Sequence, residues 1–316
     1  MPKKISLPHL TTMEAILERA REISGSGEPH KVAVAAAHDD AAIEAAVKAQ
    51  EAGIAQSMLF GDSAKIGALI EQHNSRPAEF NIIHTADDDE SAERCAMAVA
   101  IGQADIIMKG ILPTSKLLKS VLRQKYGLRR KGLLAHTAIL SPKLYPKLLG
   151  VTDGGMVIKP TFEQKIDIIR NAVLVGWALG IERPRVAMLA TVDYVVQAFP
   201  ETFEAAALSK MAQREQIKQC YIDGPMSFDT AVWPQAVEYQ NIKSDVAGNA
   251  DIVVANSIEE GNILAKSLIQ FGGASFAGVI LGAKAPISLV SRADPAFNKL
   301  ASIALAVVVS HFLKKG

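Results

Sequence analysis

Short apolar runs, each followed by a longer stretch with helical spacing, recur through the first 120 positions of this chain. Lys31–Ala35, Ser57–Phe60, Phe80–His84 and Asp105–Met108 read as strands. Helices are expected over about 40–53, after Gly61-Asp62-Ser63, over about 89–102 and from about 114. Strands that are apolar along their whole length need cover on both faces. The rhythm therefore predicts α/β architecture, a mostly parallel sheet with helices on both sides.

Beyond Lys131 the pattern changes. Leu133–Leu140 and Lys147–Val151 are extended candidates around Ser141-Pro142, which suits an antiparallel pair. Thr152-Asp153-Gly154-Gly155-Met156 reads as a glycine turn, and Thr161 and Gln164 stand at capping-box spacing. Strands are expected near 185–190, 218–222, 251–255 and 275–281, and Ser257-Ile258-Glu259-Glu260 is a second capping box. Pro286–Val290 reads as the last strand, and Asp294-Pro295 as the cap and first residue of a final helix carrying Leu300, Ile303, Ala304, Val307 and Val308 at helical spacing.

The chain has 316 residues, and single cores stop growing at roughly 250–300, so two domains are expected. Of the residues, 49% are hydrophobic and 21% charged, a globular composition. Thirty-four basic and 33 acidic residues leave a formal charge of +1, no global field for gripping nucleic acid or an acidic membrane. The apolar run 301–309 is too short to span a bilayer, and Lys284 interrupts the one around 276–290. Cys95 and Cys220 lie outside any CxxC or Cys/His cluster, so structural zinc is not expected, and a reduced, cytoplasmic protein is. The start of the chain lacks the apolar run of a secretory signal.

The sequence contains no P-loop, GxSxG elbow or HExxH. Gly272–Gly278 precedes a strand rather than following one, so it is no dinucleotide fingerprint. His38-Asp39-Asp40 has the composition of metal ligands but lies where a helix cap is expected, and Asp87-Asp88-Asp89-Glu90 suits an acidic helix start. The basic stretch Lys119–Lys131 reads first as a solvated face and loop, second as a contact for a phosphate-rich small molecule.

Four segments concentrate glycine, hydroxyl and charge. Lys109-Gly110 closes a strand before Thr114 and Ser115, either of which could cap the next helix. Lys119 lies on the face of Ser115. The second segment is the turn Thr152–Met156, whose adjacent glycines permit close backbone approach. The third runs from Ser244 to Asp251 and on to Glu260-Gly261-Asn262. The fourth runs from Gly282-Ala283-Lys284-Ala285-Pro286 to Ser291-Arg292-Ala293-Asp294, where a hydroxyl, a guanidinium and a helix start could hold phosphate or a developing oxyanion.

Together with Pro160 and Asp223-Gly224-Pro225, these segments resemble the phosphate acetyltransferase and phosphate butyryltransferase family, strongly from about residue 105 onward and in pattern before that. The details are closer to the butyryl branch. Lys109-Gly110 stands where acetyl-specific relatives have Ser-Gly, and Ser291-Arg292-Ala293-Asp294 is a butyryl-like string.

The resemblance implies two α/β/α domains flanking a cleft, similar to the isocitrate/isopropylmalate dehydrogenase-like fold, with residues 1–131 plus 286–316 as the first domain and 132–285 as the second. It also implies reversible transfer of a short-chain acyl group between coenzyme A and inorganic phosphate, by direct thiolate attack on the acyl phosphate in a ternary complex. The expected partners are acyl-CoA, inorganic phosphate and acyl phosphate, with coenzyme A a co-substrate, no permanently bound cofactor, no metal, and a homodimer or larger homo-oligomer. Carried over residue by residue, Ser291 would donate to the carbonyl oxygen and Arg292 would hold phosphate. Lys109, Gly110, Thr114, Ser115, Lys119, Asp153, Gly155, Met156, Asn262 and Lys284 would bind phosphate and coenzyme A.

Two positions depart from the family pattern. Asn298 stands where acetyl-specific relatives have an aspartate proposed as base, and an amide takes up no proton at neutral pH; Asp294, one helical turn earlier, is the alternative. Lys119 is the match for a phosphate-binding arginine and supplies charge without a bidentate fork. Two other readings stand beside the acyltransferase. A dehydrogenase of the similar fold would need a carboxylate metal cluster and a nucleotide site, and the sequence shows neither. A non-catalytic acyl-CoA or phosphate binder is kept open by Asn298.

Overall fold

The computed structural model describes residues 8–289 and 294–315. The first stretch holds α1 (Met13–Gly25), β1 (Lys31–Ala35), α2 (Asp40–Glu51), β2 (Gln56–Gly61), α3 (Ser63–Gln72), β3 (Asn81–His84), α4 (Asp88–Ala100), β4 (Ile106–Lys109) and α5 (Thr114–Val121). Then come β5 (Ala135–Ser141), β6 (Leu149–Thr152), α6 (Phe162–Ala178), β7 (Arg185–Leu189), α7 (Pro200–Gln213), β8 (Tyr221–Met226), α8 (Phe228–Val232), α9 (Pro234–Gln240), β9 (Ile252–Val254) and α10 (Ile258–Gln270). Last are β10 (Ser275–Leu281), β11 (Ile287–Ser288) and α11 (Ala296–Lys315). The chain is a mixed α/β protein that divides into two compact units.

The first unit takes Met13–Lys131 and the chain from Ala277 on. Its strands run in the order β3-β2-β1-β4-β11-β10. β1 is parallel to β2 (Val34↔Leu59) and to β4 (Val32↔Ile106), and β11 is parallel to β4 and antiparallel to β10 (Val279↔Ser288). That antiparallel pairing explains why the return to this unit begins inside β10 rather than at the expected Pro286. The helix starts follow the sequence logic. The Asp39 carboxylate accepts from Ala42 N, so His38-Asp39-Asp40 is a cap. Asp87 accepts from Glu90 N at the head of the acidic run.

Two helices of this unit exceed what the pattern indicated. α1 buries Met13, Ile16, Leu17, Ala20 and Ile23, an amphipathic spacing that lay unread behind the basic start of the chain. Every residue of α11 from Ala301 to Ile303 and on through Ser310 is buried, so it is a central helix rather than one with a single apolar stripe. Its length and composition would suffice to cross a membrane, but 72% of its apolar window is buried within the protein.

The second unit takes Gly132–Phe276 and, among the described residues, 8–12, which the sequence reading had placed in the first domain. The reason is local: Leu10 N donates to Leu179 O, and Gly180 leaves no room for a Cβ beside Pro8 O. The strand order is β5-β6-β9-β7-β8. β5 and β6 are antiparallel (Ala138↔Val151), and β9 lies parallel between β6 and β7. Thr161 and Gln164 form the complete capping box of α6. At α10 only half the expected box forms. Ser257 accepts from Glu260 N, while the Glu260 carboxylate accepts from Asn256 N, one residue upstream of the box position.

Candidate active site

In the second unit β6 ends in a buried Thr152-Asp153 pair, with Asp153 only 2% exposed. Burying a carboxylate is tolerable only when its oxygens are saturated. Here Oδ1 accepts from Gly155 N (2.7 Å) and Met156 N (2.8 Å), and Oδ2 accepts from His136 N on β5 (3.0 Å). Thr152 Oγ1 donates to His136 O. Asp153 thereby folds the glycine turn around itself and ties it to β5.

The turn lies directly against the start of α10. A Cβ on Gly154 would stand 2.6 Å from the Gly261 carbonyl carbon, and a Cβ on Gly261 would stand 2.6 Å from Asp153 O. The Asn262 amide donates to Gly154 O (3.1 Å). Two motifs more than a hundred residues apart thus form one cluster, in which Asp153, Gly155, Met156 and Asn262 come together. A buried lysine braces it. Lys165 Nζ donates to Glu204 Oε2 (2.6 Å) and Asn256 Oδ1 (2.8 Å), holding the residue just before the α10 cap.

Sequence reasoning passed over His136, whose signal was a lone imidazole inside an apolar strand. Its ring lies over Gly155, where a Cβ would come within 3.1 Å of Cγ, and tilts toward Phe276. Burial pushes its pKa below the ordinary imidazole value, and the Asp153 charge opposes that shift. The remaining motif residues of this unit hold backbone in place. Ser244 accepts from Val246 N and Ala247 N, and Asp251 accepts from Arg185 N and pairs with Lys147. Gly224 approaches Met188 O too closely for any side chain.

In the first unit Lys109 ends β4, and its Nζ donates to Gly110 O (2.8 Å) and Leu112 O (3.3 Å). Gly110 N donates to Ala35 O and Ile111 N to Ala36 O, folding the loop onto the end of β1. A Cβ at Gly110 would stand 2.1 Å from Ala36 O, so close approach demands this glycine. The expected hydroxyl cap does not form. Pro113 is the N-cap of α5 and supplies no side-chain bond, while Thr114 and Ser115 occupy the first turn. Lys119 and Ser115 are both exposed on α5.

Lys284 is exposed, and its loop is held by Lys284 N donating to Leu128 O and Arg130 N donating to Gly282 O. The 127–130 segment and the Lys284 loop are therefore neighbours. The basic stretch is partly committed, because Arg123, Lys125 and Tyr126 all converge on Glu93. Asn298 is buried on α11, and its carbonyl accepts from Ser302 Oγ. Asp294 is half-buried. Ser291 and Arg292 lie outside the described residues. Among the described residues, no three His, Cys, Asp or Glu side chains converge as metal ligands.

The family model described as "Phosphate acetyl/butaryl transferase" matches residues 90–307. A probable phosphate butyryltransferase of Bacillus subtilis is 44% identical over 92% of this chain and 98% of its own. A phosphate acetyltransferase of Thermotoga maritima is 40% identical over 94% of this chain and 99% of its own. Among solved structures, a branched-chain phosphotransacylase from Enterococcus faecalis superposes with a TM-score of 0.78 at 29% identity, covering 89% of this chain and 99% of that one. A 4-hydroxythreonine-4-phosphate dehydrogenase from Klebsiella pneumoniae shares the fold alone, at a TM-score of 0.53 and 15% identity over 90% of this chain and 100% of that one. Matched over most of its length by the family model and by relatives well above 30% identity, the chain belongs to the phosphate acetyl/butyryltransferase family of acyltransferases.

Proposed function

We propose that this enzyme transfers a short-chain acyl group reversibly between coenzyme A and inorganic phosphate, with butyryl ahead of acetyl. The observation that carries the reading is 44% identity to a probable phosphate butyryltransferase along nearly the whole of both chains. The Lys109-Gly110 pair and the Ser291–Asp294 string favour the butyryl branch.

In this reading the fold is of the isocitrate/isopropylmalate dehydrogenase-like type. The coenzyme A sulfur, as thiolate, attacks the carbonyl carbon of the acyl phosphate. The C–O bond to the phosphoryl group breaks, and phosphate leaves with the bonding pair. Ser291 donates to the carbonyl oxygen as its charge builds, and Arg292 holds the phosphate. Lys109, Lys119 and Lys284 supply positive charge that draws phosphate and coenzyme A. The exposure of Lys119 and Lys284 supports that role. No permanently bound cofactor is required. The enzyme works in the cytoplasm as a homodimer or larger homo-oligomer.

A thiol-release assay with acetyl-, propionyl- and butyryl-CoA plus phosphate tests this. Turnover greatest with butyryl-CoA is expected. Turnover greatest with acetyl-CoA would reverse the chain-length order, and turnover with none of the three would overturn the reading.

A further inference from the structure

Around the 152–156 turn nearly every polar group is already committed. The Asp153 carboxylate takes three main-chain N–H donors, the Thr152 hydroxyl is given to His136 O, and the Asn262 amide is given to Gly154 O. The exceptions, next to each other on β5, are the Thr137 hydroxyl and the His136 Nδ1, both buried without a partner, and of the two only the imidazole is a base near neutral pH. A buried nitrogen without a partner costs stability, and such groups persist where chemistry or a ligand uses the side chain.

We propose that His136 is the proton acceptor for the coenzyme A thiol. This rests on the acyltransferase reading above. Nε2 takes the S–H proton as sulfur bonds to the acyl carbonyl carbon, and the C–O bond to the phosphoryl group breaks with its electron pair leaving on phosphate. In the opposite direction phosphate oxygen attacks the thioester, the C–S bond breaks, and the imidazolium returns the proton to the departing thiolate.

The placement fits this role. Nδ1 is sealed in, yet His136 as a residue is half-buried, and Nε2, unlike Nδ1, is not a buried atom without a partner. The ring packs closely on Gly155, where a Cβ would come within 3.1 Å of Cγ. It stands in the cluster where Asp153 and Asn262 hold the turn and where the family resemblance places substrate. Asn298, at the position where a base is expected, is a buried amide without basicity.

Burial keeps the imidazole neutral near pH 7, so its lone pair is available. The charge acting on it comes from Asp153, at the end of β6, which favours the imidazolium formed on transfer. Phe276, the residue packed against it from β10, carries none.

The test compares wild type with His136→Gln for acyl phosphate plus coenzyme A from pH 6.5 to 9. A positioned base contributes roughly 10²–10⁴-fold. The expected result is a loss of about 10²-fold in kcat at pH 7 with KM for coenzyme A changed by less than about 3-fold. That loss should shrink as pH nears the thiol's own pKa of roughly 8.5, where the acceptor is no longer needed. Active wild type with an equally active variant at pH 7 would overturn the proposal and leave the acyltransferase reading standing. A loss of the same size at every pH would also overturn it, because that marks a structural role. Inactive wild type would remove the acyltransferase reading itself and this proposal with it. If His136→Gln fails to fold, His136→Asn removes the imidazole's basicity in a smaller side chain. The same pH-dependent loss is then expected, and full activity would overturn the proposal.

Discussion

The two glycine-bearing strand ends, Lys109-Gly110 in the first unit and Asp153–Met156 in the second, are built in opposite ways. In the second unit an acidic side chain organises the backbone: three N–H groups converge on one buried carboxylate. In the first unit backbone organises backbone, through Gly110 N to Ala35 O and Ile111 N to Ala36 O, and the unit's cations Lys119 and Lys284 remain at the surface. Charge buried as scaffold is unavailable to a ligand, whereas charge left at the surface can meet an anion. Losses at Asp153 should therefore appear as stability, and losses at the lysines as substrate affinity.

The largest expected effect tests where the chemistry lies. Ser291→Ala and Arg292→Ala should each lower kcat about 10²–10³-fold in the thiol-release assay with the thermal midpoint unmoved. Normal turnover in both would move the oxyanion and phosphate roles away from that string. Next comes Asp153→Ala, which leaves three main-chain N–H donors without their acceptor. Urea unfolding should show a loss of about 3 kcal/mol, and a stable variant would end the scaffold side of the comparison. Gly110→Ala should cost about 2 kcal/mol by the same measurement, because its Cβ would drive the Ala35–Ala36 backbone away.

Smaller again, Lys119→Met and Lys284→Met should each raise KM for phosphate or coenzyme A about tenfold, as loss of one charge-assisted contact does. Their unfolding midpoints should stay within about 0.5 kcal/mol of wild type. A stability loss without a KM change would reverse the contrast between the units.

The smallest effect is pH-dependent and confined to the first unit. His311, its ring 6.0 Å from that of His30, is held at about 4 by burial first and then by Lys315 and His30. Its folded pKa lies below the ordinary value of 6.5, so the unfolded chain takes up the proton first as pH falls. Stability should hold above about pH 6.5 and decline toward pH 4 by about 1 kcal/mol, and His311→Gln should flatten that decline in thermal melts. An unchanged slope would show that the pair does not couple folding to pH.

Much of the framework was readable because it is written locally. The burial of β1 behind an exposed Lys31 follows from Val32-Ala33-Val34-Ala35, and the α6 capping box from Thr161 and Gln164. Even so, α1 was missed although Met13, Ile16, Leu17, Ala20 and Ile23 carry helical spacing. The candidate site was legible only as a set of motifs. Asp153, Gly155 and Asn262 could be named from the resemblance, but not that Asp153 and Asn262 hold the turn. Nothing in the order of residues says that Gly154 meets Gly261 or that His136 lies over Gly155. Thr114 and Ser115 were expected as caps because hydroxyls usually serve there, and the backbone placed Pro113 at that position instead.

By itself the sequence determined the α/β rhythm, most helix starts and the family, because those depend on residue type and short spacing. Only the tertiary structure decided which polar groups were already committed. The Asp153 carboxylate is saturated, Lys165 is locked to Glu204 and Asn256, and His136 keeps a buried nitrogen without a partner. Hydrogen-bond saturation depends on atoms brought together from distant parts of the chain, and no local pattern encodes it.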